Sequence, residues 1–183
     1  MTKVFIGGSR KISRLSADVR RKIDMMVEKR LHVLVGDANG VDKAVQSYLQ
    51  DKRYELVEVF CAGSDCRNNV GGWPTRAVAV NSKKRDFDFY ATKDRLMAYE
   101  ASLGFMIWDG SSVGTLLNVL RLIWRQKKVV VYNVPTKAFS ELSNETDWES
   151  FLLQCPPDLR QRLEHKTIDE RFSDAPSLQM KLI

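Results

Sequence analysis

The chain has 183 residues, 44% hydrophobic and 28% charged, with 10 Gly and 5 Pro, the profile of one globular domain with a short appendage. At this size roughly two thirds of the unfolded surface is buried without help from disulfides or metal. No apolar run approaches the ~18 residues of a membrane span, and Met1-Thr2-Lys3 leads directly into a strand. A soluble cytoplasmic protein is therefore expected, and secreted, membrane, collagen-like and disordered classes are set aside.

Cys61, Cys66 and Cys155 are odd in number and show no paired spacing, which fits a reducing compartment. With only His32 and His165 beside them, no metal site is expected. The net charge of +6 has two readings: simple solvation of the surface, or attraction for phosphate-bearing ligands and nucleic acid.

In chain order, Val4-Phe5-Ile6 reads as a strand ending in Gly7-Gly8-Ser9-Arg10. Ser16 then caps a helix with Val19, Ile23, Met26 and Val27 on one face, Asp18 in its first turn and Lys29-Arg30 in its last. A second strand, Leu31 to Val35, stops at Gly36-Asp37-Ala38-Asn39-Gly40. The helix after it places Val41, Ala44, Val45, Tyr48 and Leu49 on one stripe. The third strand, Leu56 to Cys61, runs into a long loop, and a helix spans about Asp86 to Ser102. A fourth strand, Leu103 to Trp108, leads through Asp109-Gly110-Ser111-Ser112 to a helix over Gly114 to Gln126, and Lys128 to Tyr132 is the fifth. Near-continuous apolar strands alternating with helices predict an α/β, Rossmann-like open, mostly parallel sheet with helices on both faces. Residues 1–133 form that domain. Residues 134–183 read as an extension with short helical stretches near Trp148 and Leu159, and with loosely held last residues.

Ligands of such sheets bind at the carboxyl ends of strands. Three glycine-containing turns lie there, offering Gly8, Ser9 and Arg10, then Gly36, Asp37, Asn39 and Gly40, then Asp109, Gly110, Ser111, Gly114 and Thr115. Glycine allows close backbone approach, and helix N-termini suit phosphate or carboxylate; the alternative is tight turns and nothing more. Neither G-x-x-x-x-G-K-[ST] nor G-x-G-x-x-G occurs, so ATPase and nicotinamide dehydrogenase readings lose support and no cofactor is expected.

The loop from Ala62 to Arg76 is long enough to be a binding loop. Arg67 and Arg76 suit phosphate, Asn68 and Asn69 donate and accept, and Trp73 either stacks on a base or pins the loop into the core. In the next helix Tyr90 and Asp94 share a face, so Asp94 either meets the ligand edge or forms a solvated pair with Lys93. Asn118, Arg121 and Arg125 share one side of the last helix. Its remaining surface is apolar over a wide arc, as in a doubly covered helix or a subunit interface.

Together, Phe5 to Arg10, Val35 to Asp42 and Asp109 to Asn118 resemble the SLOG superfamily, which includes the DNA-processing A (Smf) proteins and the LOG phosphoribohydrolases; the YspA/cpYpsA-related branch is the nearest match. The resemblance spans about residues 3 to 133. It implies a Rossmann-like domain that binds a nucleotide or nucleotide-derived small molecule, often as a homo-oligomer, with N-glycosidic cleavage in some relatives. LOG enzymes carry P-G-G-x-G-T-x-x-E with a catalytic Glu; here that position is Asn118, which serves neither as nucleophile nor as general base.

The leading expectation is a nucleotide-derived ligand held at the strand ends, with Arg67, Asn69 and Trp73 closing over the base. Asp94 or Asp109 would be the catalytic carboxylate if an N-glycosidic bond is hydrolysed. A non-catalytic sensor or sequestering module is the second expectation. A nucleic-acid-binding protein ranks third, because the linear sequence has no basic stripe interleaved with aromatics.

Overall fold

The computed structural model describes residues 1–79 and 86–173. Its elements are β1 (Lys3–Gly8), α1 (Ala17–Glu28), β2 (His32–Gly36), α2 (Val41–Asp51), β3 (Val57–Ala62), β4 (Thr75–Val78) and α3 (Phe87–Glu100). These are followed by β5 (Leu103–Trp108), α4 (Val113–Trp124), β6 (Val129–Asn133), β7 (Ala138–Leu142), α5 (Glu145–Leu153) and α6 (Pro157–Ser173). The strands form one seven-stranded sheet of order β4-β3-β2-β1-β5-β6-β7, parallel throughout except for β7, which pairs antiparallel with β6. This is the Rossmann-like α/β fold with an open, mostly parallel sheet.

Alternation along the strands divides the core. Val4 and Ile6 of β1 join Val33 and Val35 of β2 in packing against Val19 and Ile23 of α1 and Val41, Val45 and Leu49 of α2. Phe5, Leu34 and Phe60 face the other way, onto Met97 of α3 and Leu116, Leu117 and Leu120 of α4. α4 is apolar over a wide arc because it is covered twice: the sheet lies on one side, and Trp148, Phe151, Leu159 and Leu163 of α5 and α6 lie on the other. That covering comes from the same chain, so the breadth of α4 no longer argues for a subunit interface.

Several local expectations are corrected. α1 stops at Glu28, with Lys29 as C-cap and Arg30 at φ 52°, so the basic pair lies beyond the last turn. Cys61 and Cys66 are paired as a disulfide, with Cα atoms 5.0 Å apart: the end of β3 bends back on the following loop. β4 and β7 were not foreseen, and the final residues 174–183 lie outside the described residues. Among the described residues, no helix is long and apolar enough to cross a membrane.

Candidate functional site

The chain builds β1 to β4 outward in one direction, then crosses back to place β5 on the free side of β1. That is the topological switch point, where two neighbouring crossovers diverge and leave a crevice at the carboxyl ends of β1 and β5. A cavity of about 680 Å³ opens there. Its floor comes from the turn after β1, its far wall from the start of α4, and its near wall from α3. The Ser9 hydroxyl donates to Asp109 Oδ2 at 2.8 Å and ties the two strand ends together.

Asp109 is a turn carboxylate. Its Oδ1 accepts from the backbone of Ser111 (3.0 Å) and Ser112 (2.7 Å). Burial alone would raise its carboxyl, but the Ser111 and Ser112 amides and the Ser9 hydroxyl outweigh burial and hold it below the usual carboxylate range. Both oxygens are thus engaged in shaping the loop. Gly8 lines the crevice as expected, yet its missing side chain is required by packing: a Cβ there would strike the Ile107 carbonyl and lie 2.8 Å from Val41 Cγ2.

A buried charge cluster forms the inner wall. Lys93 of α3 is 3% exposed, and its ammonium lies 2.8 Å from Asp94, 3.8 Å from Asp42 and 4.0 Å from Asp37. Lys93 and Asp94 are therefore not a solvated pair. Burial opposes the Lys93 charge, but Asp94 and Asp42 more than compensate and raise its affinity for the proton. Burial likewise pushes the Asp42 carboxyl up to about 6, with Lys93 pulling against it. Gly36 makes the cluster possible, since a Cβ would occupy the space of Asp42 Oδ2 and Lys93 Nζ. From Asp94 the polar chain continues outward. Asn118 Nδ2 reaches Asp94 at 3.4 Å, Arg121 Nη1 donates to Asn118 Oδ1, and Arg121 pairs with Glu170 of α6 at 2.6 Å. Arg95 also binds Glu170, at 2.8 Å. Burial would raise the Glu170 carboxyl, but the two guanidiniums carry it down to about 2.

The mouth is different in character. Arg10 and Lys11 approach from the β1–α1 loop, Tyr90 and Phe87 from α3, and Arg162 from α6. The Arg67 and Arg10 guanidiniums lie over the Tyr90 ring, 4.2 Å and 5.2 Å from its centre. Lys166 sits 5.0 Å over the Phe87 ring.

Of the residues singled out in the sequence, Gly8, Ser9, Arg10, Asp94, Asp109, Ser111, Gly114, Thr115 and Asn118 line this one crevice. The middle turn reaches the crevice through Ala38, and the four residues expected from it, Gly36, Asp37, Asn39 and Gly40, do not line it. Asp37 is 1% exposed and taken by Arg67, whose backbone N and side chain both donate to it. Burial would raise its carboxyl, but the Arg67 hydrogen bonds win and hold it low. Asn39 accepts from Asn68, and Gly40, at φ 85°, is pressed against the Arg10 backbone. Gly110, at φ 79°, turns toward Pro135 instead of the cavity.

The long loop is also redirected. Trp73 is 9% exposed, its indole N–H donates to the Tyr54 carbonyl, and Asn69 grips its backbone from both sides. Trp73 therefore pins the loop to the core and does not stack on a ligand. Asn68 braces the Asp37 carbonyl, and Arg76 is spent on Glu58 (2.9 Å) and Glu100 (3.0 Å). Arg67 touches the site through Tyr90. Lys11, Asp42, Phe87, Lys93 and Arg162 were missed; Arg162 lies in the extension, for which the sequence suggested no role. Among the described residues, no group of three or more His, Cys, Asp or Glu is placed to hold a metal ion.

No protein-family model matches the chain, and no curated protein is significantly similar to it. Among solved structures, DNA processing protein A from Helicobacter pylori, described for its single-stranded DNA binding mode, is similar with a TM-score of 0.52 and 13% identity. The match covers 92% of this chain and 81% of that one. At that identity the likeness shows a shared fold.

Proposed function

We propose that the chain binds single-stranded nucleic acid without turning it over, seating a base in the switch-point crevice and its phosphates on the rim. This replaces the small nucleotide-derived ligand and its hydrolysis, which were the leading expectation. The solved structure of similar fold belongs to a protein described as binding single-stranded DNA, and the two carboxylates considered catalytic are committed to Lys93 and to the Asp109 turn. Placement in the YspA/cpYpsA-related branch remains our reading of the three strand-end motifs.

The observation that carries the proposal is the distribution of charge between rim and interior. At the inner wall the Lys93 ammonium is outnumbered by Asp37, Asp42 and Asp94, a balance that disfavours a phosphate there, whereas Arg10, Lys11 and Arg162 outnumber Asp86 around the mouth. A nucleotide unit is favoured with its base inward, toward the polar wall of Asp94, Thr115 and Asn118. Tyr90, already in contact with two guanidiniums, supplies a stacking surface at the entrance. Bases paired in a duplex cannot enter such a recess, so single strands are preferred.

The test is fluorescence anisotropy with a labelled single-stranded oligonucleotide of about twelve nucleotides. Saturable binding is expected, weakening as salt rises, with the matching duplex bound less tightly. Tyr90→Ala should weaken binding roughly tenfold, the scale of one lost stacking contact of about 1–3 kcal/mol. Equal affinity for duplex and single strand, or an unchanged Tyr90→Ala variant, would contradict the proposal.

A further inference from the structure

We infer that the strand path continues from the crevice into a second, basic groove on the other flank of the β1–α1 loop, which takes the sugar–phosphate backbone of the adjoining nucleotides. This rests on the single-strand reading above and extends it to a surface that reading does not use.

The groove has a volume of about 550 Å³ and is lined by Ser13 and Arg14 of the loop, Arg20 of α1, and Lys43 and Ser47 of α2. Lys43 and Ser47 are one helical turn apart and so share a face. Arg14, Arg20 and Lys43 are all exposed, and Arg14 and Lys43 make no hydrogen bond or ion pair among the described residues. The acidic lining residue, Asp51, lies at the end of α2, away from Lys43 and the crevice. Asp24 at that end is already bound by Lys52 at 3.0 Å and by the Tyr48 hydroxyl at 2.8 Å. Cationic character therefore gathers at the end of the groove nearest the crevice.

The two cavities are joined through the same two segments. In the loop, Arg10 and Lys11 face the crevice while Ser13 and Arg14 face the groove. On α2, Asp42 faces the crevice and Lys43 the groove. The ridge between them is the contact of Gly40 with the Arg10 backbone, too close for even a Cβ on Gly40. No side chain from Gly40 stands in the way of a strand crossing it. Unpaired cations flanked by the hydroxyls of Ser13 and Ser47 suit phosphate oxygens, and each cation that replaces condensed counterions on a strand adds to the salt dependence of binding.

The experiment compares single-stranded oligothymidylates of about four and about twelve nucleotides, the shorter filling the crevice alone, across a salt series. The chain and its Arg14→Gln/Lys43→Gln double variant are both titrated, with circular dichroism to verify the fold. The variant should bind the twelve-mer roughly tenfold more weakly at low salt, with a log–log salt slope shallower by about 1.4 for two phosphates, while the four-mer is unaffected. Unchanged affinity and slope for the twelve-mer would overturn the groove and leave the crevice standing. Equal losses on both oligonucleotides would also overturn it, since the two cations would then act at the crevice. Failure of the unmodified chain to bind either length would remove the single-strand reading and the groove with it.

Discussion

Glu170→Gln is expected to lower the unfolding free energy at pH 7 by about 3–5 kcal/mol, because it leaves Arg121, 1% exposed, without a counter-charge. For a chain of this size that is a fall in melting temperature of about 10 °C. The pH dependence gives an independent check. The Glu170 carboxyl binds its proton at about 2 in the folded chain, against an ordinary value of 4.5, so the unfolded state takes the proton first as pH falls. Its contribution, about 3 kcal/mol, is complete above pH 4.5 and is lost as pH drops toward 2. Urea unfolding should therefore show a wide gap between the two proteins at pH 7 and a narrower one at pH 3. Equal stability at pH 7 would mean that α6 is not held by this ion pair.

Lys93→Met should cost a comparable amount, with a deficit that also shrinks in acid but over a higher pH range, set by Asp42 near 6. Met keeps most of the volume of the Lys stem, so the loss is chiefly electrostatic: Asp37, Asp42 and Asp94 remain around an empty charge position. Asp42 already binds its proton near 6, above its ordinary 3.8, so its ionised form is penalised in the folded chain and stability declines as pH rises from 3.8 through about 6. Without Lys93 that penalty grows, and protonation relieves it. The deficit of the variant should accordingly be about 3–5 kcal/mol at pH 7 and visibly smaller at pH 5. A deficit independent of pH between those points would argue that Lys93 supports the fold by packing alone.

What the sequence makes legible follows from which forces are local. Strands β1, β2, β3, β5 and β6 announce themselves as apolar runs because both faces are buried, and Ser16 marks a helix start with its own hydroxyl, which accepts from the Val19 amide. β4 and β7 are edge strands with mixed, partly exposed residues, so neither leaves an apolar run to read. The turns after β1 and β5 were found because glycine and serine cluster there, and the switch point brings them together. The middle turn carries the same signal for another reason: Gly36 and Gly40 are small so that Lys93 and the Arg10 backbone can approach. Composition cannot separate that packing demand from ligand binding. The basic and aromatic rim was invisible in the linear order, since Arg10, Arg67, Tyr90 and Arg162 come from four segments that only the fold assembles. Trp73 shows the converse, a conspicuous residue in a loop whose indole is consumed by the core.

Photocrosslinking most directly tests where a strand would lie. A single-stranded oligonucleotide carrying 5-bromouracil is irradiated in complex with the chain, and the adduct is mapped by peptide mass spectrometry. The account predicts attachment at Tyr90, with protection of neighbouring crevice peptides. Adducts confined to surfaces away from Tyr90, or none at protein concentrations that saturate the oligonucleotide, would contradict it.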